Sequence, residues 1–295
     1  MVKPKSKVVV RLAGGLGNQL FQWACGYALA HRTDSELVLD VRSGFLTDFK
    51  YRRFYELGPL NLAFRQASFW EVAEMYVRWL RSKWPCTTHK ELYIYSEQQN
   101  EYLDEVIRHP AGINAWLFGY FQSPKYFNDC TVDVRRSLLI SEPKYWVYRD
   151  LGIKMRNSES VALGIRLYEE TKDPAFHAHN GQVISLAKVQ KAINEFVVKL
   201  GTFDTYIFCT YHADILDQLI VPGSVKFITA DDGYSDTWSG LWLLAQCRHH
   251  IFSNSSFYWW GAFLSAHYHH GAVQHIAAAD NFANQDIYLD EWDTF

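Results

Sequence analysis

Short apolar runs alternate along the chain with longer stretches whose apolar residues recur every third or fourth position. Lys7–Leu12 (KVVVRL) is continuous enough to read as a strand buried on both faces of a parallel sheet. A tight loop follows, Gly14-Gly15-Leu16-Gly17-Asn18-Gln19, and then Leu20, Phe21, Ala24, Tyr27 and Ala28 fall at helical spacing. Glu36–Val41 predicts the second strand of this βαβ unit, ending at Asp40. Ser68–Trp84 predicts an amphipathic helix stopped near Pro85, and Glu97–Arg108 another. Asn114–Phe121 reads as a strand, and Ser123-Pro124 opens a helix with serine at the cap and proline in the first turn. Glu142–Ser160 reads as polar and irregular, and the domain boundary is placed there.

The rhythm then repeats. Strands are expected over Val161–Arg166, Thr205–Cys209, Val225–Thr229, His249–Phe252 and Ala272–His275. Helices are expected over Leu186–Leu200, Asp236–Cys247 and Phe257–His267, with a short one reaching Leu219. Strands alternating with helices predict an α/β protein with parallel sheets covered on both faces. The division is into two Rossmann-like lobes, residues 1–150 and 151–295, with a cleft between them. Ligands of such sheets bind beyond the carboxyl ends of the strands. The segment after Ala278, anchored by Phe282, Tyr288 and Trp292, is expected to pack back across the cleft.

At 295 residues the chain has room for two hydrophobic cores. Its net charge of −3 does not suggest a nucleic-acid partner. The five cysteines are odd in number and never spaced as CxxC, which argues for reduced thiols in a cytoplasmic protein. No apolar run is long enough to span a membrane. Aromatic residues make up 16% of the chain, suiting either a dense core or a surface that stacks on sugar rings.

Three loops at strand ends carry polar groups: Gly14–Gln19, Arg166–His179 and Ser253–Ser256. The last is four small polar residues between a strand and an aromatic helix, FYWWGAFL, the composition of an N-cap that can seat a phosphate. Arg166 lies just past a buried strand, where a guanidinium can grip a phosphate through two hydrogen bonds. Beside it stand Glu169, Glu170 and Asp173, candidates for a general base. The glycines after the first strand, with Asp40 after the second, resemble a dinucleotide fingerprint, but Leu20 stands where its third glycine belongs. No metal is expected. Asp231-Asp232 runs straight into Gly233 as a turn, and His267, His270 and His275 have no carboxylate or cysteine at ligand spacing.

Taken together the motifs resemble the α-1,2-fucosyltransferases. GGLGNQLFQWA is similar to their GGLGNQLFQYA, Leu117–Phe127 (LFGYFQSPKYF) to their GYFQSEKYF, and SNSSFYWWGAFL to their NSSFSWWGAWL. The resemblance implies a two-lobed GT-B fold, with the acceptor on the N-terminal lobe and the donor on the C-terminal one. It implies GDP-fucose as donor, a galactoside or related glycan as acceptor, inversion at the anomeric carbon, and no metal or other cofactor. Gly15, Gly17, Asn18 and Gln19 would lie near the transferred sugar, and Arg166 would hold the diphosphate with Asn254, Ser255 and Ser256 at the helix end. The implied setting is bacterial surface-glycan assembly, cytoplasmic or peripheral at the inner face of a membrane carrying lipid-linked glycan.

The family's HxRRxD motif departs here: Gly164 stands for the histidine, Leu167 for the second arginine and Glu169 for the aspartate. Thr210-Tyr211-His212 replaces an SDD, Gly240 an aspartate and Tyr258 a serine. Asp173, in a run similar to one bearing the proposed base of core fucosyltransferases, is the expected base, with Glu169 behind it. Another nucleotide deoxysugar as donor, or a catalytically weakened sugar-binding homologue, stays open.

Overall fold

The computed structural model describes residues 5–83, 93–97, 101–166, 183–210, 212 and 214–295. The chain divides into two compact units. One comprises Met1–Leu138 with Asn284–Ile287, the other Leu139–Ala283 with Tyr288–Phe295.

In the first unit, strands β1 (Lys7–Arg11), β2 (Glu36–Asp40), β3 (Arg65–Gln66), β4 (Ile94–Ser96) and β5 (Ala115–Phe118) pair in the order β3-β2-β1-β5-β4, all parallel. The valines of β1 point alternately to two buried faces. Val9 packs with Val38, Trp116 and Met75, the last from helix α3 (Phe69–Arg81). Val10 faces α1 (Leu16–Arg32), where a Cβ on Gly26 would come within 2.4 Å of the Val10 side chain. The close helix–strand approach that Leu20 denies is therefore supplied at Gly26, almost two turns further on. Helix α3 starts at a full capping box, with Ser68 accepting from the Glu71 N–H and Glu71 accepting from the Ser68 N–H.

Expectation and structure part at two places in this region. Of the helix expected over Glu97–Arg108, the described residues form only α4 (Asp104–Ile107), and Glu97 instead follows β4 at the carboxyl end of the strand. Pairing of β4 on β5, a tertiary contact, overrides the local pattern. Asp40, which could have held a ribose, is 2% exposed and accepts from the backbone N–H groups of Arg42 and Ser43, opening α2 (Ser43–Leu46).

The second unit contains β6 (Ser160–Gly164), β7 (Asp204–Phe208), β8 (Val225–Ile228), β9 (His249–Phe252), β10 (Ile276–Ala278) and β11 (Asp293–Thr294). They run parallel in the order β11-β10-β9-β6-β7-β8. Numbered from the first strand of the unit, this is the 3-2-1-4-5-6 order of a Rossmann sheet. Alternate residues of β6, Val161 and Leu163, pack with Ile193 and Phe196 from α7 (Leu186–Leu200) on one face. The neighbouring α8 (Thr237–Gln246) and α9 (Ser256–Tyr268) pack on each other, with Gly261 admitting the Leu244 side chain.

Two sequence readings are corrected here. Glu142–Ser160 is not irregular, because after α5 (Thr131–Ser137) the stretch Trp146–Arg156 forms helix α6. It buries Tyr148, Leu151, Gly152 and Met155 at helical spacing, and Gly152 sits so close to Trp242 that a Cβ would lie 2.1 Å from its ring. The strand expected over Ala272–His275 lies later, at Ile276–Ala278, the stretch that finds a pairing partner in β9. Among the described residues no helix is long and apolar enough to cross a membrane.

Candidate functional site

Each sheet reverses its strand order at one point, and the candidate residues that are described lie at those two places. In the second unit the reversal lies between β6 and β9, which pair from Val161↔His249 to Gly164↔Phe252. Their carboxyl ends diverge into Arg166 and into Ser253–Ser256. The Ser253 hydroxyl accepts from the Arg166 backbone N–H at 2.7 Å, and the Ser253 N–H donates to the Gly164 carbonyl at 2.8 Å. Arg166 is thus tied by its backbone to the loop that opens α9, 87 residues on. Such a crevice at the switch point is where an open parallel sheet binds its ligand.

Helix α9 begins with Ser255 as N-cap in an extended conformation, whose side chain makes no capping bond. Ser253, Asn254 and Ser255 are buried. The first turn of a helix has N–H groups without intrahelical acceptors and carries the positive end of the helix dipole. A guanidinium two residues past β6 and this helix end make a place suited to a diphosphate.

Tyr258, in the first turn of α9, lies flat over Gly164. A Cβ there would meet the ring at 2.6 Å. Its hydroxyl donates to the Phe208 carbonyl at 2.9 Å and lies 3.2 Å from that of Ile165. The histidine-to-glycine and serine-to-tyrosine departures from the resembled family are therefore in contact: the ring fills the space a side chain at 164 would need. Glu169 and Asp173, the two carboxylates proposed as base, lie outside the described residues.

In the first unit the reversal lies between β1 and β5. Gly14 has φ +76°, and a Cβ on it would collide with the Asn18 amide at 2.5 Å. Gly15 is the N-cap of α1, with the Arg53 guanidinium 3.7 Å from where its Cβ would be, and Gly17 is buried in the first turn. Asn18 is half-buried, and its carbonyl oxygen accepts from the Gln122 amide at 2.7 Å, joining the loops after β1 and β5. Gln19 is fully buried. Its amide donates to the Gly14 and Phe54 carbonyls and accepts from the Glu56 N–H, each at 2.9 Å. The side chain is spent on shaping the loop. Gln22 likewise accepts from Ala13 N–H and donates to Gly119.

Sequence reasoning passed over Glu97. One carboxylate oxygen accepts from both the Tyr120 and Phe121 N–H groups at 2.8 Å, and the other is buried without a partner among the described residues. These bonds hold Phe121 at φ +52°, a left-handed conformation costly for a bulky residue. Burial pushes the Glu97 carboxyl from 4.5 up to about 7, against the two N–H groups that favour its ionised form. The folded protein thus holds this proton more tightly than the unfolded chain. Its contribution to stability is complete below about 4.5 and is lost as pH rises through about 7. Glu97→Gln keeps an acceptor for both N–H groups without a charge to desolvate. Across that window the melting temperature of the wild type should fall relative to that of the variant, and parallel curves would refute the assignment.

Comparison with known proteins follows the same lines. Residues 88–295 match the model of glycosyl transferase family 11. The chain is 26% identical to an alpha-1,2-colitosyltransferase of Escherichia coli, covering 88% of each. It is 28% identical to the O-antigen biosynthesis glycosyltransferase WbnK of Escherichia coli, covering 86% of this chain and 89% of that one. Among solved structures it is similar in fold to a mutant of Arabidopsis thaliana FUT1 in complex with GDP, with a TM-score of 0.52 and 15% identity over 93% of this chain and 70% of that one. The fucosyltransferase NodZ from Bradyrhizobium gives a TM-score of 0.51 and 16% identity over 88% and 92%. At these identities the structural likeness is one of fold: two Rossmann-like α/β units. The chain belongs to glycosyl transferase family 11 and is a glycosyltransferase.

Proposed function

We propose that the protein transfers L-fucose, or a related deoxysugar such as colitose, from a GDP-sugar to a hydroxyl of a galactoside or similar glycan, the 2-hydroxyl of galactose first among them, inverting the anomeric carbon. The observation that carries this reading is the bond between the Arg166 backbone and Ser253, which brings residue 166 and the start of α9 to one switch point. In the proposed reaction the bond from the sugar to the diphosphate breaks as the acceptor oxygen attacks from the opposite face. Negative charge grows on the departing GDP, and Arg166 with the α9 N-terminus stabilises it more as it grows. Asn254, Ser255 and Ser256 shape that helix end, and no metal or other cofactor is assigned to the step. Asp173, with Glu169 behind it, is proposed to take the acceptor proton.

We assign the donor to the C-terminal unit and the acceptor to the N-terminal one. On this reading Gly15, Gly17 and Asn18 present the loop to the sugars, and Gln19 acts as a positioning residue beneath it. The setting we propose is surface-glycan assembly, in line with the O-antigen role in the name of one relative.

The test is GDP release by the full chain from GDP-fucose and GDP-colitose across a panel of β-galactosides. Release with either donor supports the reading; none with any acceptor overturns it. The second reading is a nucleotide-sugar-binding homologue that no longer transfers, and the Tyr258 ring over Gly164 favours it as a remodelled donor site. Calorimetry with GDP tests it: binding without turnover is its signature.

A further inference from the structure

Residues 42–54 run RSGFLTDFKYRRF, with four basic side chains against one carboxylate, a net +3 inside a chain of net −3. Three apolar residues of this segment do not cover a core. Leu46 is 74% exposed, Phe49 84% and Phe54 67%. Such side chains gain from burial in an apolar medium.

The loop is nonetheless built. The Asp48 carboxylate accepts from the Tyr51 and Arg53 N–H groups at 2.9 and 3.0 Å, and the Arg52 N–H closes on the Asp48 carbonyl with Arg52 at φ +50°. Lys50 and Arg53 lie 5.2 and 5.7 Å from the Tyr51 ring centroid. The one acid is thereby folded into the turn, while the basic groups stay at the surface. Gln19 fastens the end of the loop to the glycine loop after β1 through the Phe54 carbonyl.

We propose that the Leu46–Phe54 loop docks on an anionic phospholipid bilayer. Apolar side chains projecting singly between lysine and arginine suit the headgroup boundary, where rings and leucines enter the acyl edge and cations meet lipid phosphates. A protein partner is the poorer fit, because nine residues do not offer the roughly 800 Å² per side of a stable interface. The docking depends on neither the donor nor the acceptor. Its consequence is to hold the candidate acceptor loop at a membrane surface, where a lipid-linked glycan would present itself.

The test is co-sedimentation of the full chain with phosphatidylcholine vesicles with and without phosphatidylglycerol. Wild type should bind the anionic vesicles and release them at high salt. Phe49→Ser should weaken binding about tenfold, near the low end for losing a buried aromatic. Lys50→Ala should weaken it about fivefold, from about 1 kcal/mol per basic residue at such a surface. Unchanged melting temperatures show that both variants fold, as expected from their exposure. Three results overturn the proposal: no preference for anionic vesicles; binding untouched by Phe49→Ser; or binding lost instead in Trp70→Ser, on the exposed apolar stripe of α3. A Phe49→Ser variant with normal vesicle binding but raised KM for a soluble galactoside would reassign the loop to the acceptor.

Discussion

Replacing Arg166 by alanine should cut the transfer rate about a hundredfold to a thousandfold, the usual cost of removing one preorganised group that meets developing charge. The fold should barely notice. One structural tie of Arg166, its backbone N–H on the Ser253 hydroxyl, is kept by alanine. A half-buried side chain at the end of β6 adds little to the core, so the melting temperature should stay within about 2 °C. Arg166→Lys should recover only part of the rate, because an ammonium lacks the planar pair of donors that matches a phosphate. Donor turnover with parallel thermal melts checks all three points. An alanine variant with full turnover would remove Arg166 from the diphosphate site.

The second large effect concerns Gly164 and Tyr258. Gly164→Ala places a methyl 2.6 Å from the Tyr258 ring, in a strand buried at every position. The ring must move, and with it the hydroxyl bond to Phe208 and the first turn of α9. Overpacking of this kind costs about 1–3 kcal/mol, and the lost hydrogen bond about 1 more. Tyr258→Ser opens the space. On that background the same Gly164→Ala change should cost below about 1 kcal/mol, a coupling of the size found for residues in contact. Urea unfolding of the four proteins measures it. Equal penalties on both backgrounds would mean the two positions vary independently. Gly164→His, which restores the family's residue, should likewise be tolerated only beside Tyr258→Ser.

That pair shows where reading along the chain stops. As a string, Gly164 and Tyr258 are two separate losses from known motifs. In space they are one exchange, a side chain removed and a ring moved into its place. Gln19 makes the same point: its motif marks it as functional, yet only the tertiary structure shows its amide spent on Gly14, Phe54 and Glu56. Glu97 carries no local signal at all, because its importance comes from the Tyr120 and Phe121 N–H groups across the sheet.

Several elements are set by local signals alone. The valine run of β1, the periodicity of α1, the start of α3 at Ser68, the Ser123 cap and the strand before Ser253 depend on neighbours within a turn or two. The weaker elements went astray where partners are distant. Within Glu142–Ser160, Trp146–Arg156 becomes helical because Trp242 and Gln246 receive α6, and β10 starts at Ile276 because that stretch pairs with β9. Periodicity and capping thus set the α/β class, the repeated units and the loops worth suspecting, since those signals are local. Strand order is not: only parallel pairing of β6 on β9 put Arg166 beside Ser253, through a hydrogen bond between residues far apart in the chain.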